Sequence, residues 1–330
     1  MSSLPRLAAV AAGVGVGAFA YSTLVEPRAF ALRRFAAAVL PPGSPEIRVL
    51  HVSDLHLAPG QEYRAQWLRG LDVLEPDLVI STGDNLSHME AVPLALEAYG
   101  PLLDRPGMFV LGSNDYFPPT LKNPLRYFND SHSRGEQMTD LRLPTQDLID
   151  GFVGAGWSDL TNARGRTRLR GLDFEFVGVD DPHLGYDRYA EVAGPADPFA
   201  ALTIGVTHAP YTRVLDAMSR DGADLLIAGH THGGQVCLPF YGALVTNCDL
   251  DRTRAKGLSR WWPGAGRTPS EFAPEDAAYL HVSAGLGAGR LSPMRLACRP
   301  EATLLTLMPR ERPKLGNERA LNGQTEQSAR

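Results

Sequence analysis

Five short polar segments of this chain each stand where an apolar run ends, and their residue types are those of a metal centre. They are Asp54-Leu55-His56, Gly83-Asp84-Asn85, Gly112-Ser113-Asn114-Asp115, Thr207-His208 and Gly229-His230-Thr231-His232-Gly233-Gly234-Gln235. A strand that stops in a Gly, Asp or His turn delivers those side chains to one edge of a sheet. Carboxylate, imidazole and amide groups without cysteine suit Mn²⁺, Fe or Zn²⁺ better than a thiolate-rich structural zinc. Two such divalent ions about 3.5–4 Å apart clamp a phosphoryl group and acidify a shared water. The chemistry indicated is hydrolysis of a phosphate ester or anhydride.

The spacing within the segments supports this. His230 and His232 are two apart on an extended stretch, where side chains at i and i+2 share a side. Gly229, Gly233 and Gly234 allow a tight turn and close backbone approach. A carboxylate at a strand end, such as Asp84, suits a ligand shared by two ions. Taken singly the elements are weak: a lone His208 is more often a satisfied core histidine than a ligand. The Gly-His-Thr-His-Gly-Gly stretch is stronger, and all five in order are specific.

The elements that must hold these residues alternate. Ile47 to Val52, Asp77 to Ser81 and Met108 to Leu111 read as strands. Helices are expected over Glu62 to Leu74, with apolar residues at i, i+3, i+4 spacing, and over Ala91 to Leu103. Phe174 to Val179, Leu202 to Val206, Leu225 to Ala228, Tyr279 to Ser283 and Ala302 to Leu307 supply further strands. Strand–helix–strand order in the first half favours parallel pairing, and the strand-rich second half favours a two-sheet sandwich with outer helices. Phe117 to Thr145 is a long insertion directly after one metal-type segment, read either as a substrate-facing lid or as a surface excursion.

At Asp54-Leu55-His56, Gly83-Asp84, His208 and Gly229-His230-Thr231-His232 the chain resembles the calcineurin-like metallophosphoesterase family, over roughly residues 46 to 309. It is most similar to a bacterial membrane-anchored branch, whose C-terminal part reads much like Gly285-Leu286-Gly287 followed by Arg295 to Glu301. The resemblance implies an α/β fold, a four-layer αββα sandwich of mixed β-sheets, here preceded by an N-terminal apolar helix. It also implies two divalent metal ions, with Asp54, His56 and His232 holding one, His208 and His230 the other, and Asp84 bridging. A phosphorylated small molecule or lipid-linked substrate is the corresponding expectation.

One block departs from the family pattern. The third block normally reads Gly-Asn-His-Asp or Gly-Asn-His-Glu, its Asn a metal ligand and its His a group that stabilises the phosphoryl oxygens or protonates the leaving group. Here Ser113 takes the Asn position and Asn114 the His position. Either Asn114 reaches the metal and the imidazole is absent, or Ser113 or a water coordinates and Asn114 faces the phosphate. An amide oxygen is the better ligand for a hard metal, which favours the first. The lost general acid, worth about 10²–10⁴-fold, leaves two expectations: a preference for leaving groups of low pKa, or replacement by His88 or His132.

The remainder of the chain gives an address. With 330 residues, 44% hydrophobic, 21% charged and a net charge of -5, it has no basic surplus, and no nucleic-acid partner is expected. Leu7 to Val25 is an uncharged run, rich in Ala and Gly, that reads as a membrane anchor or a cleaved signal, with sidedness open. Residues 1–45 are thus an anchor or signal and connector, 46–309 the catalytic domain and 310–330 a polar tail. Cys237, Cys248 and Cys298 lack metal-type spacing; a Cys237–Cys248 bridge or separate buried thiols are the two readings. The rival to an enzyme is a membrane-anchored metal-binding domain that holds a phosphorylated ligand or partner.

Overall fold

The computed structural model describes residues 13–120, 140–238, 240–289 and 291–311. Its strands in chain order are β1 (Ala31–Leu40), β2 (Ile47–Val52), β3 (Leu78–Ser81), β4 (Gly107–Phe109), β5 (Ser158–Asp159), β6 (Arg164–Leu169) and β7 (Leu172–Gly178). They continue with β8 (Leu202–Thr207), β9 (Leu225–Ala228), β10 (Cys237–Leu238), β11 (Gly242–Ala243), β12 (Gly257–Trp261), β13 (Ala278–Val282) and β14 (Glu301–Pro309). One sheet has the order β1-β14-β2-β3-β4-β5 and the other β12-β13-β9-β8-β7-β6, while β10 and β11 form a separate hairpin.

Strands β2 to β5 run parallel, as do β7, β8, β9 and β13. Apart from the short polar edge strand β5, they are largely buried and read as near-continuous apolar runs. Between the sheets lie Val49, Ile80, Met108 and Leu305 from one side and Phe176, Ile204, Val206 and Ile227 from the other. Three helices, α1 (Glu62–Arg69), α2 (Val92–Tyr99) and α3 (Thr145–Gly154), cover the outer face of the first sheet, where Leu68, Ala95, Leu148 and Phe152 pack on Leu50, Val52 and Phe109. Helix α4 (Thr212–Arg220) lays Val214, Leu215 and Met218 on Val177, Leu226 and Leu280 of the second. The four layers expected from the resemblance are present.

Several details differ from the sequence expectation. The helix expected over Glu62 to Leu74 tightens into a 3₁₀ turn at Gly70–Leu74, and the one over Ala91 to Leu103 does so at Gly100–Asp104, where Pro101 follows Gly100. Strands β1, β6 and β12, and the two-residue strands β5, β10 and β11, lie outside the runs expected as strands. β6 is Arg-Gly-Arg-Thr-Arg-Leu, an edge strand whose arginines meet Glu175 and Asp197, and charged edges of this kind carry no apolar alternation. β1 falls inside the segment expected as a connector; it pairs in parallel with β14, and Arg33 bonds Glu301 at 3.0 Å.

The apolar run Leu7 to Val25 begins outside the described residues. Residues 13–20 are helical, followed by a π-helical turn Tyr21–Val25 and a 3₁₀ turn Glu26–Arg28. Among the described residues no helix is long and apolar enough to cross a membrane. Most of the expected lid, including His132, and most of the polar tail also lie outside them. The three cysteines are free and buried; Cys248 packs with Leu250 and Trp261, whereas Cys237 sits in another cluster with Cys298, so the Cys237–Cys248 bridge is not formed.

Candidate metal centre

The parallel strands of both sheets end at one edge, and the polar segments follow those ends. Ligands of open α/β sheets collect at this carboxyl edge. Asp54 and His56 follow β2, Asp84 follows β3, Asn114 follows β4, His208 follows β8, and His230 and His232 follow β9. Five of these seven have left-handed backbones: Asp54 at φ 53°, His56 at 46°, Asp84 at 56°, His230 at 67° and His232 at 50°. Asp and His tolerate this region better than bulky residues, yet each such turn stores strain that the surroundings must hold.

The surroundings do hold it. The Asp54 N–H donates to the Gly83 carbonyl at 2.9 Å and the His56 N–H to the Asp84 carbonyl at 2.9 Å, pinning the two turns together. Asp115, fully buried, accepts from the N–H groups of Asp84, Asn85 and Gly112 at 2.8, 2.7 and 3.0 Å. Glycine is required at 112 and 229, because a Cβ at Gly112 would strike the Asp84 carboxylate and one at Gly229 would strike the Ser53 hydroxyl.

Four residues bring ligand atoms within 4.8 Å of one another: Asp54, His56, Asp84 and His232. The Nε2 atoms of His56 and His232 are 3.2 Å apart, and His56 Nε2 is 3.4 Å from Asp84 Oδ2. Asp54 Oδ1 is buried and without a hydrogen-bond partner, 3.7 Å from His232 Nε2. An orphaned carboxylate oxygen amid imidazole nitrogens fits a cation. Next to this group, His208 Nε2 stands 3.5 Å from Asp84 Oδ1 and 3.3 Å from His230 Nδ1. His208 Nδ1 donates to the Thr82 carbonyl at 2.7 Å and His230 Nε2 to the Asn247 carbonyl at 3.2 Å, so the opposite nitrogen of each ring, His208 Nε2 and His230 Nδ1, is turned into the site. Asp84 thus turns one carboxylate oxygen to each cluster.

Asn114, from the third block, contacts the Asp84 carboxylate directly. Its main-chain N–H donates to Asp84 Oδ1 at 2.7 Å and its Nδ2 to Asp84 Oδ2 at 2.9 Å, so it clamps the shared carboxylate; Ser113 Oγ touches Nδ2 at 3.4 Å. His88 is half-buried, and its Nδ1 accepts from the Glu90 N–H at 3.2 Å.

The electrostatics match a site built for positive charge. Burial lifts Asp54 to about 6, against the pull of His208. Burial also works to raise Asp84, but His208, His56 and the Asn114 donors outweigh it and hold it at about 2. Burial lowers His56 to about 4 and pushes His230 and His232 well below the usual imidazole value. His208 moves the other way: against its burial, Asp84, Asp181 and Asp54 raise it to about 9. Carboxylate charge is concentrated here beyond what the neutral imidazoles balance, and a divalent cation supplies the difference.

Sequence reasoning missed several contributors. Asp181 and His183 follow the end of β7; the His183 ring centroid lies 4.5 Å from that of His230, and Asp181 Oδ2 is buried without a hydrogen-bond partner. Their signal was available, since Val179-Asp180-Asp181-Pro182-His183 is another polar segment at the end of an apolar run. Arg295, fully buried, donates through Nη2 to the carbonyls of Ala284, Gly285 and Gly287, tying the β13 loop beneath His232. A buried chain of hydrogen bonds runs from His281 through His51, Thr82 and Ser53 to Asp54 Oδ2, with links of 2.9, 2.9, 2.7 and 2.6 Å. Neither of these could be read without the pairing of the sheets.

A two-sheet sandwich with a carboxylate–imidazole cluster at its strand ends defines a metal-dependent phosphoesterase. The chain belongs to the calcineurin-like phosphoesterase family, whose model matches residues 47–234. It is 24% identical over 313 residues to the uncharacterized metallophosphoesterase YkuE of Bacillus subtilis (strain 168), covering 88% of this chain and 90% of that one. It is 25% identical over 296 residues to phosphodiesterase YaeI of Escherichia coli (strain K12), covering 88% and 93%. It is also 24% identical over 275 residues to UDP-2,3-diacylglucosamine pyrophosphatase LpxG of Chlamydia muridarum (strain MoPn / Nigg), covering 73% and 78%. The protein is a hydrolase of this family.

Proposed function

We propose that the protein hydrolyses a phosphodiester or pyrophosphate bond at a centre of two divalent ions, Mn, Fe or Zn, and that its substrate is a phosphorylated lipid or lipid-linked molecule. The observation that carries the two-ion reading is the straddle of Asp84, with Oδ2 3.4 Å from His56 Nε2 and Oδ1 3.5 Å from His208 Nε2. Asp54, His56 and His232 would hold one ion, and His208 and His230 the other, with Asp84 shared. Bound there, the ions supply Lewis acidity toward the phosphoryl oxygens and lower the pKa of the attacking water.

The chain's own residues hold that arrangement fixed. Thr82 and Asn247 set the tautomers of His208 and His230. Asn114 keeps the Asp84 carboxylate in one orientation, and in the assignment favoured here its amide lies at the metal side of the site. The third block therefore offers no imidazole to a leaving group, which favours substrates whose leaving group departs as a stable anion, such as a nucleotide phosphate. The names of the E. coli and C. muridarum relatives, a phosphodiesterase and a pyrophosphatase of a diacylated sugar nucleotide, support that substrate class.

The test is hydrolysis of a bis-aryl phosphodiester by the full-length protein reconstituted with Mn²⁺, with Asp84→Asn as control. Turnover that falls to background in the variant supports the enzyme. No turnover from protein shown to carry two ions overturns it, in favour of a domain that binds its phosphorylated ligand without cleaving it.

A further inference from the structure

Exposed apolar side chains converge beside the loop that carries His232. The β10–β11 hairpin leaves that loop and presents Leu238, Phe240 and Tyr241 to solvent. Phe240 is fully exposed and held at φ 64°, a backbone region that a bulky side chain adopts only at a cost. The ring contributes nothing to the core to offset that strain. On the neighbouring segment Leu291 is exposed as well.

The same segment joins the hairpin to the start of the chain. Leu296 bonds Gln235 and Cys237 through its main chain on one edge, at 3.0 and 2.8 Å. On the other edge Arg295 donates its N–H to the Ser22 carbonyl at 2.8 Å, and the Ala297 and Cys298 N–H groups donate to the Glu26 carboxylate. The N-terminal helical stretch is thereby fixed next to the hairpin, with Val14, Val16, Phe19, Leu24 and Val25 exposed. Monomeric soluble proteins rarely cluster exposed apolar groups in this way. Basic groups stand at its margin: Arg252 lies 4.1 Å over the Tyr241 ring, and Arg28 closes the helical stretch.

We propose that the hairpin tip formed by Leu238, Phe240 and Tyr241 is a membrane-inserting element that works with the N-terminal apolar run to seat the metal centre against a lipid bilayer. This rests on the reading of the site as a phosphohydrolase of lipid-linked substrates. The bilayer is the occupant indicated because the segment that pairs with the hairpin also holds the end of an uncharged run that in sequence reaches back to Leu7, and because arginines stand at its margin where anionic headgroups lie. An aromatic ring at such a boundary sits at the headgroup level. Arg295, buried on the segment that pairs with the hairpin, lies 3.4 Å from Nδ1 of the His232 ring, so the segment beside the hairpin and the metal loop share one support.

The experiment uses the full chain with vesicles of phosphatidylcholine and phosphatidylglycerol that contain brominated acyl chains. Phe240→Trp is compared with wild type and with Phe199→Trp, a residue 91% exposed ahead of β8, away from the strand ends that bear the metal centre. Tryptophan quenching beyond the wild-type level in Phe240→Trp, but not in Phe199→Trp, supports the proposal whether or not the protein turns over. Equal quenching in the two variants, or none in Phe240→Trp, overturns it. In a second measurement, the triple Ser variant of Leu238, Phe240 and Tyr241 should keep its rate on the soluble bis-aryl diester within about 2-fold. Its hydrolysis of a phospholipid embedded in vesicles should drop by about 10-fold or more, roughly 1.4 kcal/mol. Loss on both substrates would make the hairpin a support of the site and overturn its docking role.

Discussion

The Nε2 atoms of His56 and His232 face each other at 3.2 Å, with their rings stacked at 29° and the partnerless Asp54 Oδ1 beside them. His56 Nδ1 lies 3.3 Å from the Ser87 hydroxyl, and burial keeps both rings neutral at physiological pH. Two lone pairs and a carboxylate oxygen directed at one point form a ligand set rather than a hydrogen-bond network.

Removal of either histidine should therefore cost the same ion. His56→Ala and His232→Ala are each expected to purify with about one ion fewer per chain. The double variant should lose no more than either single one, because both side chains serve one site. His208→Ala should lose the other ion. Elemental analysis of protein loaded with Mn²⁺ and desalted provides the check, and retention of both ions by the double variant would refute the assignment.

The third block yields a gain-of-function prediction. Asn114 stands at the sequence position where the family carries its imidazole, and its amide clamps Asp84 instead. Rebuilding the family pattern with the pair Ser113→Asn and Asn114→His should restore proton donation. Rates on diesters with leaving groups of high pKa should rise by up to about 10²-fold, with little change for good leaving groups. The measurement is the slope of log kcat/KM against leaving-group pKa, which should flatten in the variant. An unchanged slope would mean that another residue, His88 among the candidates, already donates the proton.

How far the sequence could be read follows from which interactions are local. β2 and β9 were legible to the residue, because each is an apolar run too short for a helix that stops at a turn residue. The ligand residues followed from those same ends. The edge strands β6 and β12 were not legible because they carry no apolar alternation, and β1 because its Ala-rich run Ala-Leu-Arg-Arg-Phe-Ala-Ala-Ala-Val-Leu has no period of two. The chain from His281 to Asp54 was equally hidden: His51 and His281 are 230 residues apart and meet only when the two sheets face each other. Asp181 and His183 were legible in principle, since Asp181-Pro182-His183 repeats the Asp-x-His spacing of Asp54-Leu55-His56 at the end of another apolar run.

Asp115 offers a test of what holds the left-handed turns. Its carboxylate takes four main-chain N–H groups, from Asp84, Asn85 and Gly112 and, at 3.3 Å, from Leu86, all buried. Asp115→Ala strands those donors, and at about 1–3 kcal/mol for each unsatisfied group the loss is about 3–5 kcal/mol, partly relieved by relaxation or water entry. Asp115→Asn keeps one acceptor oxygen and should lose roughly half as much. Urea denaturation is the measurement: the midpoint should fall while the slope stays constant. A shift under about 1 kcal/mol for the alanine variant would show that the loop is held by other contacts.

The buried pair His51 and His281 predicts how stability responds to acid. Burial holds His281 at about 3, and burial together with His281 keeps His51 well below its usual value. An unfolded chain titrates these groups near 6.5, so between about pH 6.5 and 3 the unfolded state binds protons that the folded state refuses. Stability must then fall as pH falls through that window, and should not change from this source above pH 7. At pH 5 His281 accounts for about 1.5 pH units of unfavourable linkage, about 2 kcal/mol. His281→Leu removes one of the two, so the loss of stability between pH 7 and 5 should be smaller in the variant by about 2 kcal/mol, even though the variant is less stable overall for want of a partner to His51 Nδ1. Denaturation of metal-free protein at both pH values isolates the effect from metal release. An identical pH dependence in wild type and variant would mean that His281 takes up its proton in the folded state.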